Sequence, residues 1–272
     1  MASPWFEFPG TPRSPSDAPR GDKDAPRAVA ARFRLFCFPY AGGGASIFRS
    51  WANWLPEEVE AVGIQLPGRE TRLAEPLMLS MGPLTDELSE EMAPHLDLPF
   101  AFYGHSTGAL IAFELARVLR KRGLPQPELL FLSGQDGPRE KPPLIRHTLP
   151  DAEFIEILRN CKGTPDAVLQ NPDLLEILLP RIRSDGAIYE TYDYEPQPPL
   201  DARIVIFEGT DDRFVTQPGL AAWHKETRGG FHHYAPLSGG HFFLHAEEEA
   251  LARHINQELG RLLYEPACSA HG

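Results

Sequence analysis

Residues 102–109 read Phe-Tyr-Gly-His-Ser-Thr-Gly-Ala, and they constrain the architecture more than any other part of the chain. Their core, Gly104-x-Ser106-x-Gly108, follows an apolar run and opens a helical pattern. A chain that changes from strand to helix within about one residue places the intervening serine in a strained backbone conformation. The flanking glycines let the strand and the helix pass closely. The stretch therefore predicts a serine hydroxyl that stands clear of a sheet at a helix N-terminus.

Apolar runs and helical patterns alternate along the chain. Six runs predict strands, at 33–38, 60–66, 99–103, 128–133, 203–208 and 231–237. Strands that alternate with helices predict a mostly parallel central sheet with helices on both faces. A Gly-x-Ser-x-Gly turn in such a sheet is the nucleophile elbow of the α/β-hydrolase fold, which is the predicted fold class.

One catalytic domain is predicted over residues 31–272. Residues 1–30 combine repeated proline with polar residues and have no periodicity, which predicts a disordered leader. The segment 138–199 interrupts the alternation with two amphipathic helical patterns, 151–160 and 172–189, and no convincing strand pattern. An insertion of this kind predicts a helical lid. Most of its apolar side chains are expected to pack on the core, and a minority to line a substrate tunnel.

A serine nucleophile in this fold needs a carboxylate and a histidine base that follow it in that order. Among ten histidines, His241 is the predicted base, because Ser238-Gly-Gly-His-Phe-Phe243 follows the last strand pattern. A loop at the end of that strand can reach a serine on the central elbow. His245 is an alternative, and a glycine-rich turn can also carry a histidine with no catalytic role.

The predicted acid is Asp212. It lies in Gly209-Thr-Asp-Asp-Arg-Phe-Val215, directly after a continuous apolar run, and it precedes His241 by one helix and one strand. Asp136 also follows an apolar strand and is the alternative. Asp211 is expected to face solvent or to cap a turn, and turn chemistry is the ordinary role of any loop aspartate.

The oxyanion hole needs two backbone N–H groups. One is predicted at Thr107, directly after the nucleophile, and the other at Ala41, in the loop Pro39-Tyr-Ala-Gly-Gly-Gly44 after the first buried strand. A triple glycine can also cradle a phosphate. However, no Lys-Ser/Thr follows it, and it lacks the Gly-x-Gly-x-x-Gly spacing with a downstream acid, so a nucleotide site is disfavoured.

Composition excludes several classes of protein. The net charge of −12 disfavours binding to nucleic acid or to anionic membranes, and no apolar run approaches the roughly 18 residues of a membrane span. Three scattered cysteines exclude a disulfide framework and a CxxC metal or redox site. The scattered cysteines, together with the lack of a secretory signal pattern, predict a cytoplasmic protein.

Asp185, which lies in the second helical pattern of the predicted lid, is expected to be solvated.

Four motifs in order resemble the type II thioesterases, the stand-alone hydrolases that accompany polyketide synthases and nonribosomal peptide synthetases. The motifs are Phe38-Pro-Tyr-Ala-Gly-Gly-Gly-Ala45, Gln65-Leu-Pro-Gly-Arg-Glu-Thr-Arg72, Gly104-His-Ser-Thr-Gly-Ala109 and Gly239-Gly-His-Phe-Phe243. Tyr40 and Thr107 depart from the residues most frequent in the family, which bears on acyl preference rather than on the chemistry.

The resemblance implies a function and a set of site residues. Ser106, His241 and Asp212 would form the catalytic triad, with Thr107 and Ala41 as the oxyanion donors. The substrate would be an acyl thioester on the phosphopantetheine arm of an acyl or peptidyl carrier protein, and the enzyme would remove aberrant acyl groups from it. No metal or bound cofactor is expected. Within the second motif, Arg69 is expected to form a structural ion pair at least as readily as to contact substrate.

Overall fold

A seven-stranded sheet forms the centre of the part of the chain that the structure describes. The computed structural model describes residues 3–8, 30–140 and 145–264. The strands are β1 (Phe6–Glu7), β2 (Phe33–Phe38), β3 (Val59–Ile64), β4 (Phe100–His105), β5 (Leu129–Ser133), β6 (Arg203–Phe207) and β7 (Phe231–His233). Their spatial order is β1-β3-β2-β4-β5-β6-β7. All neighbours are parallel except β1, which runs antiparallel to β3.

Helices connect the parallel strands. They are α1 (Met81–Met92), α2 (Thr107–Lys121), α3 (Asp151–Cys161), α4 (Asp166–Leu169), α5 (Pro172–Glu190), α6 (Gln217–Ala222), α7 (Phe243–Ala246) and α8 (Glu248–Tyr264). Short 3₁₀ helices lie at Ala45–Asn53, Glu70–Arg72, Ala93–His95 and Trp223–Glu226. Within the described ranges, every helix is too short or too polar to cross a lipid bilayer.

The central strands are buried on both faces. Alternate side chains point to opposite sides, so that Phe36 and Phe102 pack in one hydrophobic cluster with Leu110 of α2. On the other side, Phe131 packs with Ile255 of α8. Two-sided burial explains why the strands appear in the sequence as continuous apolar runs. The predicted fold class, a mostly parallel sheet of the α/β-hydrolase type, is confirmed.

The segment between β5 and β6, here called the lid, carries α3, α4 and α5. Its helices share a small hydrophobic cluster of their own, formed by Phe154, Leu158, Leu169 and Leu179. The C-terminal half of α5 is attached differently. Ile188 belongs to the main core, and the hydroxyl of Ser184 donates a 2.8 Å hydrogen bond to the carbonyl of Met78. The lid therefore has a separately packed part and an anchored part.

Residues 3–8 differ from the disordered leader expected over residues 1–30. The strand β1 pairs with β3, and the side chains of Trp5 and Phe6 are buried. The amide of Gln65 donates to the carbonyl of Trp5 at 2.8 Å, and the guanidinium carbon of Arg72 lies 4.0 Å from the centre of the indole ring. Burial of two aromatic side chains offsets the entropy lost in ordering this short segment. The rest of the expected leader, residues 1–2 and 9–29, lies outside the described residues.

Candidate active site

Ser106 lies at the sharp turn between β4 and α2. Its backbone adopts φ 54° and ψ −125°, a strained conformation for a residue with a side chain. A Cβ atom on Gly104 would lie 2.4 Å from the carbonyl oxygen of Gly108, and one on Gly108 would lie 2.4 Å from that of Phe38. Only glycine fits these two positions. The amide of Ser106 donates to the carbonyl of Ser133 at 2.8 Å, which holds the strained turn against β5.

His241 connects Ser106 to Asp212. Its Nε2 lies 3.0 Å from the Oγ of Ser106, and its Nδ1 lies 2.9 Å from the Oδ2 of Asp212. The side chain of Asp212 is fully buried, and that of His241 is 9% exposed. The second carboxylate oxygen of Asp212 accepts the amide of Phe214 at 2.9 Å. Since Nδ1 donates to the carboxylate, Nε2 faces the serine as a proton acceptor.

Paired loops bring the acid and the histidine together. They follow β6 and β7, and the amide of Asp211 donates to the carbonyl of Gly239 at 2.8 Å between them. Gly239 adopts φ 114°, which a residue with a side chain rarely does. The Gly-x-x-Asp loop and the Gly-Gly-His loop therefore leave adjacent strands and converge on the elbow.

The alternative residues make other contacts. The carboxylate of Asp136 accepts the amide of Thr216 at 2.9 Å and its hydroxyl at 3.2 Å, and burial raises the pKa of this carboxyl. The Nε2 of His245 lies 2.9 Å from the hydroxyl of Tyr40, and burial lowers the pKa of this imidazole. Asp136 therefore binds Thr216, the residue that precedes α6, and His245 holds the side chain of Tyr40 beside the glycine loop.

The two predicted backbone donors, Ala41 and Thr107, line the same cavity as Ser106. Thr107 is the first residue of α2, and the first amides of a helix have no partner within the helix. These amides lie at the positive end of the helix dipole. This position suits a donor to an oxygen that becomes negatively charged.

A tight turn presents Ala41. The amide of Gly43 donates to the carbonyl of Tyr40 at 2.9 Å, and Gly42, the third residue of the turn, adopts φ 81°. A positive φ at this position is characteristic of a type II turn and favours glycine. The backbone conformation of the turn therefore favours glycine at position 42.

A largely apolar cavity of about 560 Å³ opens over Ser106. The lid lines it with apolar side chains from all three helices, namely Phe154, Ile157, Leu158, Val168, Leu178 and Ile182. A few polar groups interrupt this lining, among them Arg146 and Glu190. A concave, largely apolar site with a few polar groups near the reacting serine suits an acyl chain.

Residues 33–259 match the family model described as thioesterase domain. The chain belongs to this thioesterase family. It is 42% identical over 240 residues to the gramicidin S biosynthesis protein GrsT of Aneurinibacillus migulanus, across 87% of this chain and 92% of that protein. The relationship predicted from the four motifs is confirmed.

Solved structures agree with this assignment. The thioesterase RedJ from the prodiginine biosynthetic pathway of Streptomyces coelicolor matches with a TM-score of 0.80 at 39% identity, over 84% of this chain and 87% of that one. The type II thioesterase BorB from the borrelidin biosynthetic cluster matches with a TM-score of 0.80 at 32% identity, over 95% and 99%.

The thioesterase also contains a buried ion pair beside the glycine turn. Asp185 of α5, which was expected to be solvated, is 2% exposed and pairs with Arg69. Its carboxylate also accepts the amide of Gly42 at 2.7 Å. The expectation for Asp185 is wrong because its partner is 116 residues away in sequence, and no local pattern indicates that contact. The expected structural ion pair of Arg69 is present.

Proposed function

We propose that this enzyme hydrolyses acyl thioesters on the phosphopantetheine arm of acyl or peptidyl carrier proteins, removing aberrant acyl groups during polyketide or nonribosomal peptide synthesis. The observation that carries the proposal is the hydrogen-bonded series Ser106–His241–Asp212 beneath an apolar cavity. Membership of the thioesterase family and similarity to proteins named for biosynthetic pathways support it. The carrier proteins and a cytoplasmic location are part of the same proposal.

In the acylation step, the Oγ of Ser106 attacks the thioester carbonyl while the Nε2 of His241 takes its proton. The amides of Ala41 and Thr107 stabilise the oxyanion of the tetrahedral intermediate. When the carbon–sulfur bond breaks, His241 returns the proton to the departing thiolate. Asp212 stays ionised and stabilises the imidazolium.

Deacylation repeats the sequence with water. His241 removes a proton from a water molecule, which attacks the acyl-serine carbonyl. The ester bond then breaks, and the proton passes to the Oγ of Ser106. The products are a carboxylic acid and a free thiol on the arm. The scheme uses only side chains and backbone amides of this chain, so we propose that no metal or bound cofactor takes part.

Two comparisons of substrates test the proposal. The first is the kcat/KM for an acyl thioester against that for the matched oxygen ester, which separates a thioesterase from a general esterase. The second is the kcat/KM for one acyl group on a carrier protein against the same group on a short thiol mimic. We expect a higher value for the carrier, because contacts remote from the reacting carbon add binding energy in the transition state. Equal values for carrier and mimic would remove the editing role.

The variant Ser106→Ala tests the nucleophile. It should fold normally and lose hydrolysis by several orders of magnitude, as expected for one member of a cooperating triad. A fluorophosphonate should add once to the wild-type protein, at Ser106, as measured by mass spectrometry of peptides. Labelling at another serine, or an active alanine variant, would overturn the assignment of Ser106 as the nucleophile. A wild-type protein that neither hydrolyses thioesters nor reacts with the fluorophosphonate would be a binding module of the same fold.

A further inference from the structure

Asp185 and Arg69 form a buried pair with two parallel hydrogen bonds. The Nη1 of Arg69 lies 2.6 Å from the Oδ2 of Asp185, and its Nη2 lies 2.9 Å from the Oδ1. The two side chains are 5% and 2% exposed. Asp185 belongs to the anchored half of α5, whereas Arg69 lies in the loop after β3. This two-point geometry fixes the carboxylate in direction as well as in position.

Both members of the pair hold the glycine turn. The Oδ2 of Asp185 accepts the amide of Gly42 at 2.7 Å, and the Nη1 of Arg69 donates to the carbonyl of Gly43 at 3.1 Å. The α5 helix also packs directly on the turn, because a Cβ atom on Gly42 would lie 2.6 Å from the Cγ1 of Ile182. Asp185 and Ile182 are three residues apart and lie on one face of the helix.

The amide that Asp185 binds belongs to the central peptide of the turn. Type I and type II turns differ by a rotation of that peptide, and φ of the third residue is negative in type I and positive in type II. Glycine adopts either sign readily, so Gly42 alone does not select one turn. The carboxylate of Asp185 accepts the amide in the type II conformation, where Gly42 has φ 81°.

We propose that Asp185, held by Arg69, is a positioning residue for the oxyanion hole. By fixing the Ala41–Gly42 peptide, it sets the direction of the adjacent Ala41 amide, which donates to the oxyanion. The inference rests on the proposed function, in which Ala41 is a donor. A buried ion pair adds little stability over an apolar pair of similar volume. We therefore assign to this pair the role of fixing the conformation of the turn. Its loss should weaken the stabilisation of the transition state.

The double variant Arg69→Met/Asp185→Leu tests the proposal. It replaces the pair with apolar side chains and removes the acceptor for Gly42. Loss of a whole oxyanion donor lowers kcat by about 10²–10³. We therefore expect kcat for a thioester to fall at least roughly tenfold, with KM changed less than about threefold. Affinity for a trifluoromethyl ketone analogue, which forms an oxyanion on Ser106, should fall with kcat/KM, whereas affinity for a non-hydrolysable thioether should not.

Ser184→Ala is the matched control. Its buried hydroxyl anchors the same helix to Met78 and does not bind the turn. We expect thermal stability to fall while kcat stays within about twofold of wild type. If the double variant does not fold, Asp185→Asn decides. Its nearly isosteric amide has only one acceptor oxygen, so it loses the charge that holds Arg69 and places N–H donors against the guanidinium or against the amide of Gly42. It should lower kcat with KM unchanged.

The outcomes separate this inference from the proposed function. The positioning role would be overturned if the folded double variant kept the kcat and the analogue affinity of the wild type. If the double variant does not fold, a wild-type kcat in Asp185→Asn would overturn it. Thioester hydrolysis that still depends on Ser106 would leave the proposed function intact in either case. Hydrolysis that does not require Ser106 in the otherwise wild-type enzyme would overturn the proposed function itself.

Discussion

The imidazole rings of His105 and His241 lie 5.1 Å apart, centre to centre, but they bind different serines. His241 contacts the Oγ of Ser106, whereas the Nδ1 of His105 lies 2.9 Å from the hydroxyl of Ser133. Burial, reinforced by the charge that His241 acquires, lowers the pKa of His105 well below 6.5. His105 therefore stays neutral. When His241 takes the proton of Ser106, the resulting imidazolium is not repelled by a positive charge on His105.

The lowered pKa of His105 predicts that acid destabilises the fold. In the unfolded chain, His105 binds a proton as the pH falls through about 6.5, but in the folded protein it does not until much lower pH. Below about 6.5 the unfolded state binds more protons, so the free energy of unfolding decreases as the pH falls. His105→Gln should be less stable at neutral pH and lose less stability on acidification. Denaturant unfolding at neutral and mildly acidic pH measures both, and equal losses in variant and wild type would contradict the assignment.

Replacing Asp212 by Asn should remove most activity. The amide keeps the shape of the carboxylate but favours the wrong tautomer of His241, which costs roughly 10⁴-fold in serine proteases. We expect a fall of that order in kcat, measured with an acyl thioester. Asp136→Asn and Asp211→Asn are the matched controls, and both should retain far more activity. The acid would have to be reassigned if Asp136→Asn were the most damaging of the three.

Leu178 should limit acyl length. It lines the cavity, whereas Leu174, one helical turn earlier on α5, is 41% exposed. Leu178→Trp should lower kcat/KM for long acyl thioesters by roughly tenfold or more relative to acetyl, because the larger ring occupies the space of several methylene groups. Leu174→Trp is the control and should leave the ratio unchanged. A parallel fall for all chain lengths would indicate distortion of the lid instead.

Hydrogen exchange rates should distinguish two parts of the lid. The helices α3 and α4 rest on a small cluster of their own, whereas Ser184, Asp185 and Ile188 attach the end of α5 to the main body. Amides of α3 and α4 should therefore exchange faster than those near the end of α5 and in the sheet. Uniform protection across the lid would show that it opens as one unit.

The sequence predicts the fold and the site where function requires particular residues at fixed local spacing. The elbow around Ser106, the Gly-Gly-His loop of His241 and the glycine turn before Ala45 each contain backbone conformations that few residues adopt. Those constraints appear as motifs. Two-sided burial of the strands likewise appears as apolar runs. The predicted residues Ser106, His241 and Asp212 come together in the structure.

The remaining features depend on contacts between distant segments. Asp185 resembles any polar residue on an amphipathic helix, and only the fold brings it to Arg69 and Gly42. Similarly, Trp5 and Phe6 stand in a proline-rich polar neighbourhood, so composition masks a strand whose partner is β3. Asp136 and Asp212 each follow a strand, so the sequence pattern alone does not distinguish them. The structure separates the two by what each carboxylate binds.

The two outer strands of the sheet are very short, with two residues in β1 and three in β7. A long, flat edge strand offers unpaired amides and carbonyls to other chains and promotes aggregation. Here β1 occupies the outer side of Gly63 and Ile64 in β3, so those residues no longer present a free edge. The small antiparallel strand thus keeps the last two residues of the six-residue strand β3 from pairing with a second molecule, while β3 supports the core.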